Sequence, residues 1–255
     1  MPRRARQAPG GVIYHVLNRA AGRRQLFDDE GDYEAFLRTL GEALARPGLA
    51  PSNGPSGSLP ARGPVRVLGF CLMPNHWHLV LWPRGDGDLS ALMFWLTMTH
   101  TQRWRHFRRS VGEGPLYQGR FKCFPVQAEG PGDGGAHFRT VCRYVERNPL
   151  RAGLVARAED WRYSSLRARL DPTSAAGRLI PLEPWRVDQP ADWVAWVNQP
   201  QTAAEVDAVR ASVRCGRPFG DESWQRRAAT ELGLMHTLRP PGRPRKLPRP
   251  GPNQK

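Results

Sequence analysis

Lysine is almost missing from this 255-residue chain. Of its 38 basic residues only Lys122, Lys246 and Lys255 are lysines, and the others are arginines. Acid is also scarce: 23 Asp and Glu leave a formal charge of +15 and a pI near 10.9. That imbalance argues against a small neutral substrate and for a polyanionic partner, of which nucleic acid is the usual one. A GC-rich coding sequence is one source of so much Arg, Ala, Gly and Pro, yet it leaves the charge excess unexplained. Arginine in any case forks phosphate oxygens and stacks on bases. Cysteine is limited to Cys71, Cys123, Cys142 and Cys215, without C-x-x-C spacing, which excludes a zinc ribbon and a disulfide framework and points to a reducing, cytoplasmic compartment. No run of 18 apolar residues and no N-terminal apolar leader occurs, which argues against membrane spanning and secretion.

What the sequence does hold is the apolar run LGFCLMPNHWHLVLW, with His76 and His78 one residue apart near its centre. Branched and aromatic residues over that length favour a buried strand. Strand side chains alternate, so both imidazoles face one way and Trp77 and Leu79 the other. Two neutral imidazoles on a rigid strand supply two ligands to one divalent metal. The same pair also suits a solvated sheet face, and a metal site needs a further ligand from elsewhere.

Along the chain, a basic arm (PRRARQ) leads to GGVIYHVLNR, which alternates as a first strand. His15 within it is a structural histidine or a further residue of the active face. From Asp28 to Ala45 the apolar spacing turns helical, with Tyr33, Phe36, Leu37, Leu40 and Leu44 on one side. Residues 46–64 are rich in Pro, Gly and Ser and read as a flexible insertion. VRVLGFCL then pairs with the histidine strand through a Pro74-Asn75 turn. Asp88 can cap a helix over Leu89–Phe107 that turns Leu92, Trp95 and Leu96 to the sheet. Arg103, Arg105, Arg108 and Arg109 near its end suit either the helix dipole or nucleic-acid contact. A strand over Gly119–Gln127, a glycine-rich loop and a helix from Ala136 follow.

In that helix Phe138, Val141, Cys142 and Val145 form the buried stripe. Tyr144 falls roughly 120° off it, outside the expected core. Asn148 stands one turn further along the same side, and Pro149 is expected to end the helix there. A phenol and an amide thus project together, with Arg143 and Arg147 on an adjacent stripe. An ordinary surface tyrosine and a C-terminal asparagine give the same pattern.

In order, MPNHWHLVL, YQGRFK and YVERNPLRAGL (residues 144–154) resemble the HUH-type single-tyrosine transposases, and within them the REP-associated tyrosine transposase branch. YHVLNR and WRYSSLRA (161–168) fit the same pattern, which covers residues 10 to about 170, and farther along GRPFGDESW from Gly216 resembles the tail of this branch. The resemblance implies an α+β fold: a ferredoxin-like antiparallel sheet with packed helices, on which the histidine strand faces the tyrosine helix. It also implies metal-dependent breakage and rejoining of single-stranded DNA at hairpin or repeat sequences. Carried over by residue, Tyr144 is the nucleophile, and His76 and His78 ligate Mg2+ or Mn2+. Asn148 is a further ligand where insertion-sequence relatives carry Gln, one methylene longer.

The expected organisation is a catalytic domain over 1–170, a small helical region over 171–238 and a disordered basic tail over 239–255. The helical region is either a DNA-binding helix-turn-helix or a unit packed on the catalytic domain. Arg243 and Arg245, within an AT-hook-like GRPRK, are candidate DNA contacts beside Arg103, Arg105, Arg143 and Arg147. Two other readings remain: a sequence-specific nucleic-acid-binding protein without catalysis, and a protein whose His-x-His holds a structural metal with cysteine help. The protein is expected to act as a monomer or homodimer.

Overall fold

The computed structural model describes residues 8–46, 63–130 and 135–239. Most of the Pro/Gly/Ser-rich insertion, and the basic tail with Arg243 and Arg245, lie outside the described residues.

Four strands, β1 (Ile13–Arg19), β2 (Val65–Met73), β3 (His76–Pro83) and β4 (Lys122–Val126), form an antiparallel sheet in the order β2-β3-β1-β4. Helix α1 (Glu30–Ala45) joins β1 to β2 and α2 (Asp88–Phe107) joins β3 to β4, giving the expected ferredoxin-like arrangement. β2 after Arg66 and β3 after His78 are apolar on both sides because both faces of the sheet are covered there. The turn between them is at Pro74-Asn75, as expected, and sets Met73 opposite His76.

Asp29 starts α1 by accepting the Asp32 N–H, and its Phe36, Leu37 and Leu40 are fully buried. Asp88 does not cap α2. Gly87, at φ 84°, is the cap residue, and Asp88 is the first helical residue, its carboxylate accepting the Gly85 N–H at 2.7 Å. Both helices pack on the sheet face that carries Trp77, Leu79 and Leu81.

The opposite face, carrying Val80 and Phe124, is covered by α3 (Ala136–Glu146). Beyond it come α4 (Asn148–Arg151), α5 (Ser165–Leu170), α6 (Ala175–Leu179), α7 (Trp193–Asn198), α8 (Ala203–Cys215) and α9 (Glu222–Glu231). A capping box between Thr202 and Glu205 starts α8, and Gly216 in the left-handed region ends it. The region after 170 packs on α3. Trp193, Val197, Val209 and Phe219 share a core with Phe138, Val141 and Val145 of α3. Phe219 also bonds to β4 at both ends of its peptide, through Pro125 O and Gln127 N, each at 2.9 Å. Among the described residues no helix is long and apolar enough to cross a membrane, and none of the four cysteines is in a disulfide.

Candidate active site

In an antiparallel sheet, residues directly opposite each other share a face. The register sets Arg19 opposite His76, Leu17 opposite both His78 and Lys122, and His15 opposite both Val80 and Phe124. Arg19, His76, His78 and Lys122 therefore emerge on the α3 side, at one end of the sheet.

The helix arrives there because it is fixed on several sides. Glu146, fully buried, pairs with Arg169 and accepts from Ser165 Oγ at 2.5 Å and Trp193 Nε1 at 2.7 Å. That anchors the end of α3 to α5 and α7. Tyr144 is 7% exposed, which corrects its expected place outside the core. The apolar stripe identified only part of the side towards the sheet: Tyr144 also lies against it, at its histidine-bearing end, and Arg151 rests on the ring. The Tyr144 ring stands edge-on to His78, with centroids 5.9 Å apart, and to His15 at 6.4 Å.

Pro149 does not end the helical path. Arg147 keeps helical angles (φ −79°, ψ −9°), and α4 continues with Arg151 N donating to Arg147 O at 2.9 Å. Proline lacks the N–H that would bond one turn back, so the ladder is interrupted while the direction is kept. Tyr144, Asn148 and Arg151 consequently line one side of one cavity, although Asn148 and Arg151 lie beyond the interruption.

The histidines have defined partners. His76 Nδ1 lies 2.6 Å from Asn75 Oδ1, so Nδ1 carries the hydrogen and Nε2 keeps a lone pair. His78 Nδ1 lies 2.9 Å from His15 Nε2. If His78 donates this bond its Nε2 is also a free donor to a metal; the price is a buried His15 Nδ1–H without a partner, and that atom is indeed unpaired. Burial holds all three neutral. It pushes His15 down to about 3, and it pushes His76 down to about 4, with Arg19 and Arg151 adding to the effect. His78 is lowered well below the usual range, first by burial and then by the neighbouring histidines and arginines. The one-residue spacing revealed His76 and His78. His15 was visible only as a lone strand histidine, because its register against β3 is a tertiary fact.

The residues fit the divalent metal that the resemblance implies, with two imidazoles outward and both Nδ1 atoms held by second partners. Among the described residues no group of three His, Cys, Asp or Glu side chains is placed to hold a metal; the neutral amides that line the cavity beside the histidines are Asn18, Gln118 and Asn148. Asn148 Oδ1 accepts from Arg151 at 2.9 Å, and its Nδ2 is buried without a partner. Cys71, directly opposite His78, is a buried thiol whose pKa burial raises far up; it does not complete such a group.

These side chains open into a cavity of about 650 Å³. Arg19, Arg120, Lys122, Arg151 and Arg210 line it, and no Asp or Glu does. Arg210 comes from α8, so the C-terminal region forms part of the wall. Sequence reasoning singled out none of these five. For Arg151 a signal existed: it follows Tyr144 by seven residues, two helical turns, which the assumed helix end at Pro149 concealed.

The arginines proposed from sequence have other occupations. Arg143 donates to the carbonyls of Trp196, Gln199 and Pro200, stacks on Trp196 and pairs with Glu205. Arg147 donates to Val197 O and Asn198 O. Together they satisfy the open carbonyls at the end of α7. Arg105, 5% exposed, binds Ser110 O and Gly114 O, and Arg103 forks Glu42. Both sit on α2, across the sheet from Tyr144.

No family model and no curated protein matches the chain. Among solved structures, it is similar to that of a REP-associated tyrosine transposase bound to a REP hairpin, with 18% identity and a TM-score of 0.45 over 80% of this chain and 96% of that one.

Proposed function

We propose that this protein cleaves and rejoins single-stranded DNA through a covalent phosphotyrosine at Tyr144, acting at hairpin or repeat sequences. The observation that carries the reading is the convergence of Tyr144, His76, His78 and Asn148 on one cationic cavity without a carboxylate. A phosphodiester repels nucleophiles, and a wall of cations without acid attracts it and offsets that charge. The Tyr144 hydroxyl attacks phosphorus, forming the Oη–P bond and breaking P–O3′. Overall the phenolic proton ends on O3′, and a free 3′-OH reverses the step. A phenol leaves more readily than a sugar alkoxide, so bond energy is retained without ATP.

His76 and His78, with Asn148 as third donor, hold Mg2+ or Mn2+ in this reading. When bound, the cation neutralises a nonbridging oxygen and helps align the scissile bond. His15 keeps the His78 ring in register, and Asn75 fixes that of His76. Arg19, Arg120, Lys122 and Arg210 guide the backbone of the strand.

The test is incubation with a panel of labelled hairpin oligonucleotides and Mn2+ or Mg2+, followed by a denaturing gel. A protein–DNA adduct absent from Tyr144→Phe supports the reading. Binding without an adduct across the panel would make this a nucleic-acid-binding protein without catalysis, and unfolding on chelation would make the metal structural.

A further inference from the structure

Most arginines that the fold buries have partners that account for them. Arg108 pairs with Asp28 and Asp32, Arg169 with Glu146, Arg143 with Glu205 and three carbonyls, and Arg105 with carbonyls of its own loop. Arg151 is different. It is half-buried in the wall of the cavity, with its guanidinium carbon 4.2 Å from the centroid of the Tyr144 ring. Its other acceptors are neutral: Asn148 Oδ1 at 2.9 Å and Gln201 Oε1 at 3.4 Å. Among the described residues no carboxylate pairs with it, and the nearby charges of Arg210 and Arg147 oppose its own.

A guanidinium withdrawn from water without a counter-anion is costly to maintain. The arrangement therefore lacks one negative charge, and the position of that charge is defined by Tyr144. Phosphorus must approach the phenolic oxygen, which brings its nonbridging oxygens to the cation already resting on the same ring. A planar fork suits this position better than an ammonium, because it can hold a phosphate oxygen and the phenolic oxygen with separate N–H groups.

We propose that Arg151 is a catalytic residue of the strand transfer: its guanidinium binds a nonbridging oxygen of the phosphodiester attacked by Tyr144 and stabilises the phenolate expelled when the adduct is resolved. This rests on the strand-transfer reading above. In the forward step Oη–P forms and P–O3′ breaks. In the reverse step P–O3′ forms and Oη–P breaks, and Arg151 remains protonated throughout.

The first measurement uses the full chain carrying Tyr144→Phe, so that binding is read without chemistry. A fluorescein-labelled hairpin oligonucleotide with single-stranded flanks is titrated by anisotropy over a series of salt concentrations. Adding Arg151→Gln should lower the slope of log affinity against log salt by about 0.7, one phosphate contact on a single strand, whereas Arg151→Lys should preserve it. An unchanged slope for the Gln variant overturns the proposal. A purely structural role would lower the melting temperature and leave the slope alone.

The second measurement keeps Tyr144 and follows adduct formation at saturating oligonucleotide. Arg151→Lys should slow it roughly 100-fold, the usual loss for a group that stabilises developing charge, with little change in oligonucleotide affinity. A Lys variant as fast as the unaltered protein overturns the catalytic role. Failure of the unaltered protein to form any adduct overturns the strand-transfer reading and this proposal with it, whereas an adduct that is indifferent to Arg151 overturns the proposal alone.

Discussion

A neutral imidazole carries one lone pair and one N–H, so the nitrogen that faces the cavity decides whether it can ligate. At His76 the Asn75 amide oxygen fixes that choice, and at His78 the choice depends on His15. His76→Ala and His78→Ala are each expected to abolish cleavage with added Mg2+ or Mn2+; undiminished activity in excess chelator would rule the metal out. Free histidines would lose ligation near pH 6.5. Here burial pushes His76 down to about 4, so the metal-dependent acid limb should lie near pH 4. A rate profile at saturating Mn2+ that breaks near 6.5 would mean that His76 is exposed when working. Asn148→Ala should weaken the Mn2+ midpoint roughly 10 to 100-fold, the usual loss for a supporting group, and Asn148→Gln should keep most activity if the amide ligates directly. An unaltered midpoint in the Ala variant would reduce Asn148 to a partner of Arg151.

At the scale of elements, the reactive side chains share a fixed α3–α4 path. Its position depends on the Glu146 cluster and on Arg143 and Arg147, which hold the end of α7. Removing Arg143 takes a donor from three carbonyls, two of which have no other donor among the described residues, and takes the ion-pair partner from Glu205. Arg143→Ala should therefore cost on the order of 3 kcal/mol in urea unfolding. Its effect on the salt dependence of DNA binding should be small, because the guanidinium is turned into the protein. A full loss of salt dependence with no loss of stability would restore Arg143 as a phosphate contact.

For the whole molecule, one core runs across residue 170. A fragment ending there loses Trp193, Val197, Val209 and Phe219 from the core and Arg210 from the cavity. It is expected to lack a cooperative thermal transition and to give poorly dispersed amide resonances; a sharply melting fragment 1–170 would show that the first 170 residues fold alone. Acid should destabilise the full chain early. His15 and His100 are pushed down to about 3 and His76 to about 4 by burial, while unfolded histidine titrates near 6.5. Between these values the unfolded chain takes up protons that the folded chain refuses. Stability is thus full above about pH 6.5 and falls as pH drops towards 4, by about 1.4 kcal/mol per pH unit for each such histidine. Urea midpoints flat from pH 7 to 4 would contradict this burial.

The sequence by itself determined the features that depend on near neighbours in the chain. The two-residue period of β3 put His76 and His78 on one side, the helical period of α1 marked its buried residues, and Pro74-Asn75 placed the hairpin turn. The spacing of four between Tyr144 and Asn148 put phenol and amide together. Net charge and motif order pointed to DNA and to the strand-transfer chemistry proposed here. Only the tertiary structure decided what depends on register and on covering elements. Cross-strand pairing brought His15 behind His78 and set Arg19 and Lys122 on the cavity wall, because a strand's own sequence does not say which residue it will oppose. The histidine-bearing end of the sheet buried Tyr144, and the end of α7 turned Arg143 and Arg147 inward, where periodicity along α3 could see only one apolar stripe. The ladder broke around Pro149 while Arg147 kept helical angles, and so Arg151 reached the tyrosine it rests upon.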